Sequence, residues 1–284
     1  MSLTRRAFQT LLALSFVTLA SGTVRAQGGG AEGAQIAAEK FEPTVGQEGK
    51  DVIWVPTPFV LVEKMLDMAK VTPKDFVMDL GSGDGRNVIA AAKRGARALG
   101  VEYNPKMVEL SRQRAAKEGV AEKAQFVQGD MFEADISQAT VLALFLLTDN
   151  LNKLAPKFLT AQPGTRIVSN GFEISGWTIE ETQRSEGECN SWCTAHLYIV
   201  PAKVAGTWKL GQGELTLEQK AQTVSGTWSA GGKSTPVTGA KIRGDQITFT
   251  AGGSEYSGRV KGDTMQGRVK GMTSGAWTAT RSDL

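Results

Sequence analysis

Asp75-Phe-Val-Met-Asp-Leu-Gly-Ser-Gly-Asp-Gly-Arg86 is the stretch that decides the fold. A short apolar strand enters a loop with glycines at 81, 83 and 85, and helical spacing follows at once from Asn87 to Arg94. Alternate glycines let a backbone turn tightly and come close to a bound molecule without Cβ clashes. The dinucleotide fingerprint sets its third glycine one place later, where this chain has Arg86. Asp79 and Asp84 crowd the same loop. Such acids repel a pyrophosphate and welcome a cation, or an amine accompanied by ribose hydroxyls.

The next strand, Ala98-Leu-Gly-Val-Glu-Tyr103, closes on an acid, and Glu102 lies 17 residues past Gly85. Doubly wound folds place a ribose-binding carboxylate about there, where it accepts from both hydroxyls. A third strand, Ala124-Gln-Phe-Val-Gln128, is followed by Gly129-Asp-Met-Phe132. Asp130 is suited to accept from an adenine amino group, with Met131 and Phe132 offering apolar contact to the ring. Ligands of open α/β sheets bind at the carboxyl ends of the strands, and here three successive ends present an acid. With a loop that favours a cation, this points to S-adenosylmethionine, a sulfonium.

Val77-Met-Asp-Leu-Gly-Ser-Gly-Asp-Gly85, Gly100-Val-Glu-Tyr-Asn-Pro-Lys-Met107 and Gly129-Asp-Met-Phe132 together resemble the class I, seven-strand, S-adenosylmethionine-dependent methyltransferases. Trp54-Val-Pro-Thr-Pro58 and Thr140-Val-Leu-Ala-Leu-Phe145 look similar to the lysine-methylating branch of that family. The resemblance runs roughly from Val52 to Val200. It implies an α/β fold with a Rossmann-like, mainly parallel sheet flanked by helices and a final antiparallel strand. It places Asp79, Gly81, Ser82, Gly83 and Gly85 around the methionine part of the cofactor. Glu102, with Tyr103 beside it, is implied at the ribose, and Asp130 with Met131 at the adenine. Thr57, between two prolines, is expected either to touch the cofactor carboxylate or to mark a rigid turn.

The chain opens with Thr4-Arg-Arg-Ala-Phe8, an apolar run from Leu11 to Ala20, and Val24-Arg-Ala26. A charged start, a short apolar segment and a small-residue cleavage site make an export signal over 1–26, and the paired arginines resemble the twin-arginine type. The expected location is therefore the periplasm, or the cytoplasm if the signal is not functional. Residues 27–50 are rich in Gly, Ala, Gln and Glu and read as a flexible leader. No later segment has the length and apolarity of a membrane span. Without residues 1–26 the formal +3 becomes zero, so the basic footprint of a nucleic-acid binder is missing. Residues 27–202 carry a net −5 and residues 203–284 a net +5. Cys189 and Cys193 are the only cysteines, an even pair that suggests a disulfide in an exported protein. With one histidine elsewhere they fall short of a zinc site, and no metal is expected.

Helices are expected at Phe59–Lys70, Asn87–Arg94, Pro105–Glu118 and Asp149–Leu159, alternating with strands over 51–202. After Pro201 the composition shifts, and fifteen of the 33 glycines fall between Gly206 and Gly275. Short alternating runs there, and Gly-x-Trp at Trp208 and Trp277 near the two ends, suggest a small antiparallel barrel over 203–284. Such a barrel could hold an apolar ligand, dock a partner or cap the catalytic domain. Arg243-Gly-Asp245 and Lys261-Gly-Asp263 read as hairpin turns rather than an adhesion signal.

Methyl transfer is an in-line displacement, so alignment of donor and acceptor supplies most of the catalysis and no covalent nucleophile is needed. The segment after the fourth strand, Leu144-Phe-Leu-Leu-Thr-Asp-Asn150, normally faces the acceptor in this family. It lacks the Asn/Asp-Pro-Pro-aromatic run of enzymes that methylate amide or ring nitrogens. Asp149 or Asn150 could orient an amine; a helix cap at Asp149 or Thr148 is the competing role. Glu173 is a candidate base, and His196 reads as a structural histidine. Two functions stand side by side. One is a methyltransferase acting on a protein amine or a small molecule; the other is an exported binding protein on a methyltransferase scaffold.

Overall fold

Alternation sorts the side chains of each strand onto two sheet faces, and each face is covered by helices. The computed structural model describes residues 41–186 and 189–282. The export signal expected over 1–26 lies outside them, as does most of the leader expected over 27–50. The first sheet is built from α1 (Phe59–Met68), β1 (Phe76–Leu80), α2 (Arg86–Lys93), β2 (Arg97–Glu102), α3 (Pro105–Lys117), β3 (Ala124–Gln128), β4 (Val141–Leu144), α4 (Thr148–Phe158), β5 (Arg166–Asn170), β6 (Glu181–Arg184) and β7 (Thr194–Ile199). Its order is β3-β2-β1-β4-β5-β7-β6, with β7 antiparallel to both neighbours and the other pairs parallel.

Val77, Ala98, Val141, Ala143 and Val168 pack with the apolar stripes of α1, α2 and α3 on one face. Met78, Leu80, Leu142, Leu144 and Ile167 pack with Leu151, Leu154 and Phe158 of α4 on the other. All four residues of β4 are buried, as a strand covered on both faces requires. Asn104 caps α3 by accepting from the Lys106 amide at 2.9 Å, with Pro105 at the first helical position. β6, Glu-Thr-Gln-Arg, goes beyond the expected strands: it is a polar, exposed edge strand without apolar alternation, held by its backbone bonds to β7. No helix among the described residues is long and apolar enough to cross a membrane.

The second sheet comprises β8 (Gly206–Leu210), β9 (Gly213–Lys220), β10 (Thr223–Ala230), β11 (Lys233–Pro236), β12 (Thr238–Arg243), β13 (Gln246–Ala251), β14 (Ser254–Lys261), β15 (Thr264–Gly271) and β16 (Gly275–Arg281). Eight of these close an antiparallel barrel and β11 hangs on β10. The first and last strands pair, with Arg281 opposite Trp208, so the two ends of the segment meet as their tryptophans suggested. The weakest seam is β10–β12, paired at Thr223 and Lys241 alone. Side chains fill the interior: Phe249 and Tyr256 stack at 4.8 Å, and Trp277 meets both rings edge-on at 5.7 and 5.6 Å.

The barrel rests on the amino ends of the parallel strands. Buried Gln222, in the β9–β10 turn, accepts from the Thr178 amide at 3.1 Å and donates to the Ile199 carbonyl at 3.2 Å. The Arg243-Gly-Asp245 turn docks beside it. Arg243 pairs with Glu180 at 2.7 Å, the Gly244 carbonyl accepts from Ala202 at 2.7 Å, and Asp245 pairs with Arg259. That tripeptide is thus consumed by structural contacts.

Gln222→Ala leaves the Thr178 amide, at a part-buried bond, and the buried Ile199 carbonyl without these partners. We expect a loss of ~1–3 kcal/mol of stability in thermal or denaturant unfolding, with cofactor affinity unchanged because the opposite sheet end is untouched.

Candidate functional site

The glycine loop turns at the carboxyl end of β1 and leads into α2, its glycines all at positive φ. Two of them are indispensable for space. A Cβ on Gly83 would meet Trp54 Nε1 at 2.7 Å, and one on Gly85 would meet the Phe126 ring at 2.8 Å and Ser111 at 2.9 Å. Glu102 fixes the loop from the next strand. Its carboxylate accepts from the Gly83 amide at 2.9 Å and from the Asn104 amide at 2.9 Å.

Asp79, 3% exposed at the end of β1, has its pKa pushed up to about 8. Burial is the main cause, the charges of Glu102 and Asp84 add to it, and a hydrogen bond from Asn87 Nδ2 at 3.0 Å opposes it. The second acid of the loop behaves differently. Burial acts to raise the Asp84 pKa, but hydrogen bonds and charge from Arg86 and Arg114 outweigh it and hold the carboxyl below its usual range. Asp84 is therefore a neutralised structural pair, not a bare charge facing ligand, which corrects the view of two acids repelling phosphate. That leaves the charge of Glu102, with Asp79 offering a carboxyl that an arriving ammonium can ionise.

A hairpin roofs the loop. Trp54 N–H donates to the Gln47 carbonyl, Gly46 N–H to that of Trp54 and Gly49 N–H to that of Val52, at 2.8–2.9 Å. Residues 46–50 are thus ordered here, in place of the end of the expected flexible leader. Lys50 at the hairpin tip pairs with Asp130 and lies 5.3 Å from the centre of the Tyr103 ring. Asn150 Nδ2 anchors the hairpin through the Asp51 carbonyl at 3.1 Å.

Two adjoining clefts lie beneath this roof, enclosing about 610 and 350 Å³ of space partly open to solvent. They share Gly49, Val52, Gly81 and Glu102. The larger holds Thr57, Asp79, Ser82, Gly83, Asn87 and Phe145; the smaller holds Tyr103, Gly129, Asp130 and Met131. Glu102 stands at the junction, where a ribose between an amino-acid tail and an adenine has to sit. Asp79 Oδ1, Asn87 Oδ1, Ser82 Oγ and Asn170 Oδ1 are buried without partners. Buried acceptors lacking donors in one place fit a cationic amino group that supplies them. The donor set therefore fits S-adenosylmethionine: Asp79, Asn87, Ser82, Thr57 and Asn170 toward the amino-acid end, Glu102 at the ribose, and Asp130, Tyr103 and Met131 at the base.

The expected catalytic residues are placed elsewhere. Asp149 is exposed in the first turn of α4 and Asn150 is buried against the hairpin; neither lines a cleft. No side chain caps α4 at Leu147, so the cap role for Thr148 or Asp149 is absent too. Glu173 is exposed and lines neither cleft, and His196 bonds Thr182 through Nδ1 at 2.9 Å. Phe132 packs on the α4 face instead of on the adenine cleft. Sequence reasoning missed Asn87 and Asn170. Asn170 donates to Thr57 Oγ1 at 3.3 Å, and a polar residue ending an apolar strand was the readable signal. Asn87, in the first turn of the helix after the loop, gave none.

Because Asp79 is largely protonated at neutral pH in the free protein, binding an ammonium group must ionise it. We expect cofactor binding at pH 6–7 to release close to one proton, measured by calorimetry in buffers of different ionisation enthalpy. Affinity should strengthen by up to about tenfold per pH unit toward pH 8. Asp79→Asn should abolish both the release and the pH dependence.

Over residues 79–181 the chain matches the ANTKMT methyltransferase domain family. It is 44% identical over 153 residues to a protein-lysine N-methyltransferase of Saccharolobus islandicus, covering 52% of this chain and 94% of that protein. It is 35% identical over 118 residues to the adenine nucleotide translocase lysine N-methyltransferase of Mus musculus, covering 41% of this chain and 51% of that protein. A solved structure described as an RNA methyltransferase from Salinibacter ruber, in complex with S-adenosyl-L-homocysteine, is 43% identical, with a TM-score of 0.50 over 53% of this chain and 96% of that one. A binding protein that has lost turnover finds no support among these enzymes. With its glycine loop, three strand-end acids and seven-strand sheet, the chain belongs to the class I S-adenosylmethionine-dependent methyltransferases, in their lysine-methylating branch.

Proposed function

We propose that the acceptor is the ε-amino group of a lysine in a protein. The observation that carries this reading is the 44% identity to a protein-lysine N-methyltransferase across 94% of that protein's length. RNA is the competing acceptor, raised by the description of the Salinibacter ruber relative. Against it stands the net −5 of residues 27–202, which hold the cofactor clefts, since RNA binding relies on basic surface.

When bound, the cofactor supplies a methyl group already activated by its sulfonium. Thr57, Asp79, Asn87 and Asn170 fix the amino-acid end, and Glu102 fixes the ribose by accepting from its hydroxyls. Asp130, which accepts from Lys50 and the Phe132 amide, keeps acceptor capacity for the adenine amino group. Phe145, at the edge of the larger cleft, gives the acceptor an apolar wall. None of Asp149, Glu173 and His196 lines a cleft, so none of these takes the proton, and alignment supplies the rate.

For location, the twin-arginine pattern of Thr4–Phe8 supports export in the folded state, and the Cys189–Cys193 disulfide suits an oxidising compartment.

The test is a methylation assay on lysine peptides, their arginine-substituted counterparts and RNA, read by intact mass. We expect methyl increments on the lysine peptides alone, with a rate that rises with pH below the ordinary lysine pKa of ~10.4. Methylated RNA with unmodified peptides would refute the assignment.

A further inference from the structure

Phe145, Phe172 and Trp192 come from three separate connections yet form one cluster. Phe145 follows β4, Phe172 lies just beyond β5 and Trp192 just before β7; these strands are neighbours and all three sites lie at the carboxyl edge, beside the cofactor clefts. Ring centroids are 6.2 Å apart for Phe145–Phe172, 5.0 Å for Phe172–Trp192 and 5.7 Å for Phe145–Trp192. The cluster therefore runs from the larger cleft, which Phe145 lines, out to Trp192, which is 43% exposed.

Trp192 is held there against its own preferences. Its φ is +58°, a left-handed conformation that a bulky side chain adopts only under constraint. The constraint is the short loop closed by the Cys189–Cys193 disulfide, whose far end is tied to the sheet by the Ser185 amide to the Cys193 carbonyl at 2.8 Å. Gly171 makes room for the indole, since a Cβ there would come within 3.2 Å of Trp192 Cε3. Elsewhere in the described residues Phe41, Phe59, Phe76, Tyr103, Phe132 and Trp208 each carry a cation of the chain on their ring face; these three rings carry none.

We propose that Phe145, Phe172 and Trp192 form the acceptor entrance, an aromatic wall that receives the alkylammonium of a substrate lysine, and that the Cys189–Cys193 disulfide sets its outer ring in place. The chemistry is attraction of an ammonium to aromatic faces, which persists as methyl groups are added because the charge is retained. The proposal rests on the protein-lysine reading above. Trp192 acts as a specificity residue and takes no part in the displacement.

The test has two readouts on the full chain. In methylation assays, Trp192→Ala should raise KM for a lysine peptide by about tenfold or more with kcat and cofactor Kd little changed, and Trp192→Phe should recover most of it. Phosphine reduction of the disulfide should raise KM in the wild type and add nothing in the Cys189→Ser/Cys193→Ser variant. Independently of turnover, the ¹⁹F resonance of 5-fluorotryptophan at position 192, assigned by its loss in Trp192→Phe, should shift on titration with tetramethylammonium or a trimethyllysine ester. Peptide methylation with an unchanged KM in Trp192→Ala, or an unresponsive resonance in folded protein, overturns the wall. A responsive resonance in a protein that methylates no lysine supports the ammonium site and refutes the lysine acceptor instead.

Discussion

The Glu102 carboxylate holds this site together. One oxygen accepts from the Gly83 amide and the other from the Asn104 amide, so a single side chain joins the glycine loop after β1 to the start of α3 after β2. Each bond is charge-assisted and thus stronger than a neutral one. The loop could not take its left-handed path with any other residue at Gly83, because Trp54 of the hairpin lies against it. Cleft shape, roof and ribose site follow from that link, and the two clefts meet at the same carboxylate.

Around this link the protein concentrates groups that folding alone would not favour. The partnerless oxygens of Asp79, Asn87, Ser82 and Asn170 gather at the larger cleft and its rim. Asp79 has a folded pKa of about 8 against an ordinary value of 3.8, so the folded state binds the extra proton and the free protein loses stability as pH rises between those values. An ammonium-bearing ligand relieves that burden, which couples stability to cofactor binding. The opposite end of the sheet is built for permanence, with Gln222, Gly244 and Arg243 seating a filled barrel away from the chemistry.

Much of this was legible because the signals are local. Strand, glycine loop and helix are contiguous between Asp75 and Arg94, and each strand-end acid follows its own apolar run. The closed barrel was legible from its paired tryptophans and glycine-punctuated alternation. What escaped depends on contacts across the fold. β6 is polar and exists through its pairing with β7. The roof at Gly46–Trp54 has no apolar period and is ordered by Asn150 and the Lys50–Asp130 pair, many residues away. Asp84 looked like a ligand-facing acid although one partner, Arg86, stands two positions on, because the turn that folds Arg86 back and the approach of Arg114 from 30 positions on appear only in the fold. Asp149 and Asn150 looked catalytic from their place after the fourth strand, but the helix turns one to solvent and the other to the hairpin.

The most direct measurement is calorimetric binding of S-adenosylmethionine and S-adenosylhomocysteine to the protein and to Glu102→Ala. Micromolar binding of both by the wild type, weakened about a hundredfold or more in the variant, is the outcome predicted for a carboxylate that fixes both loop and ribose. Equal affinity in the folded variant, or no binding by folded wild type, would contradict the account.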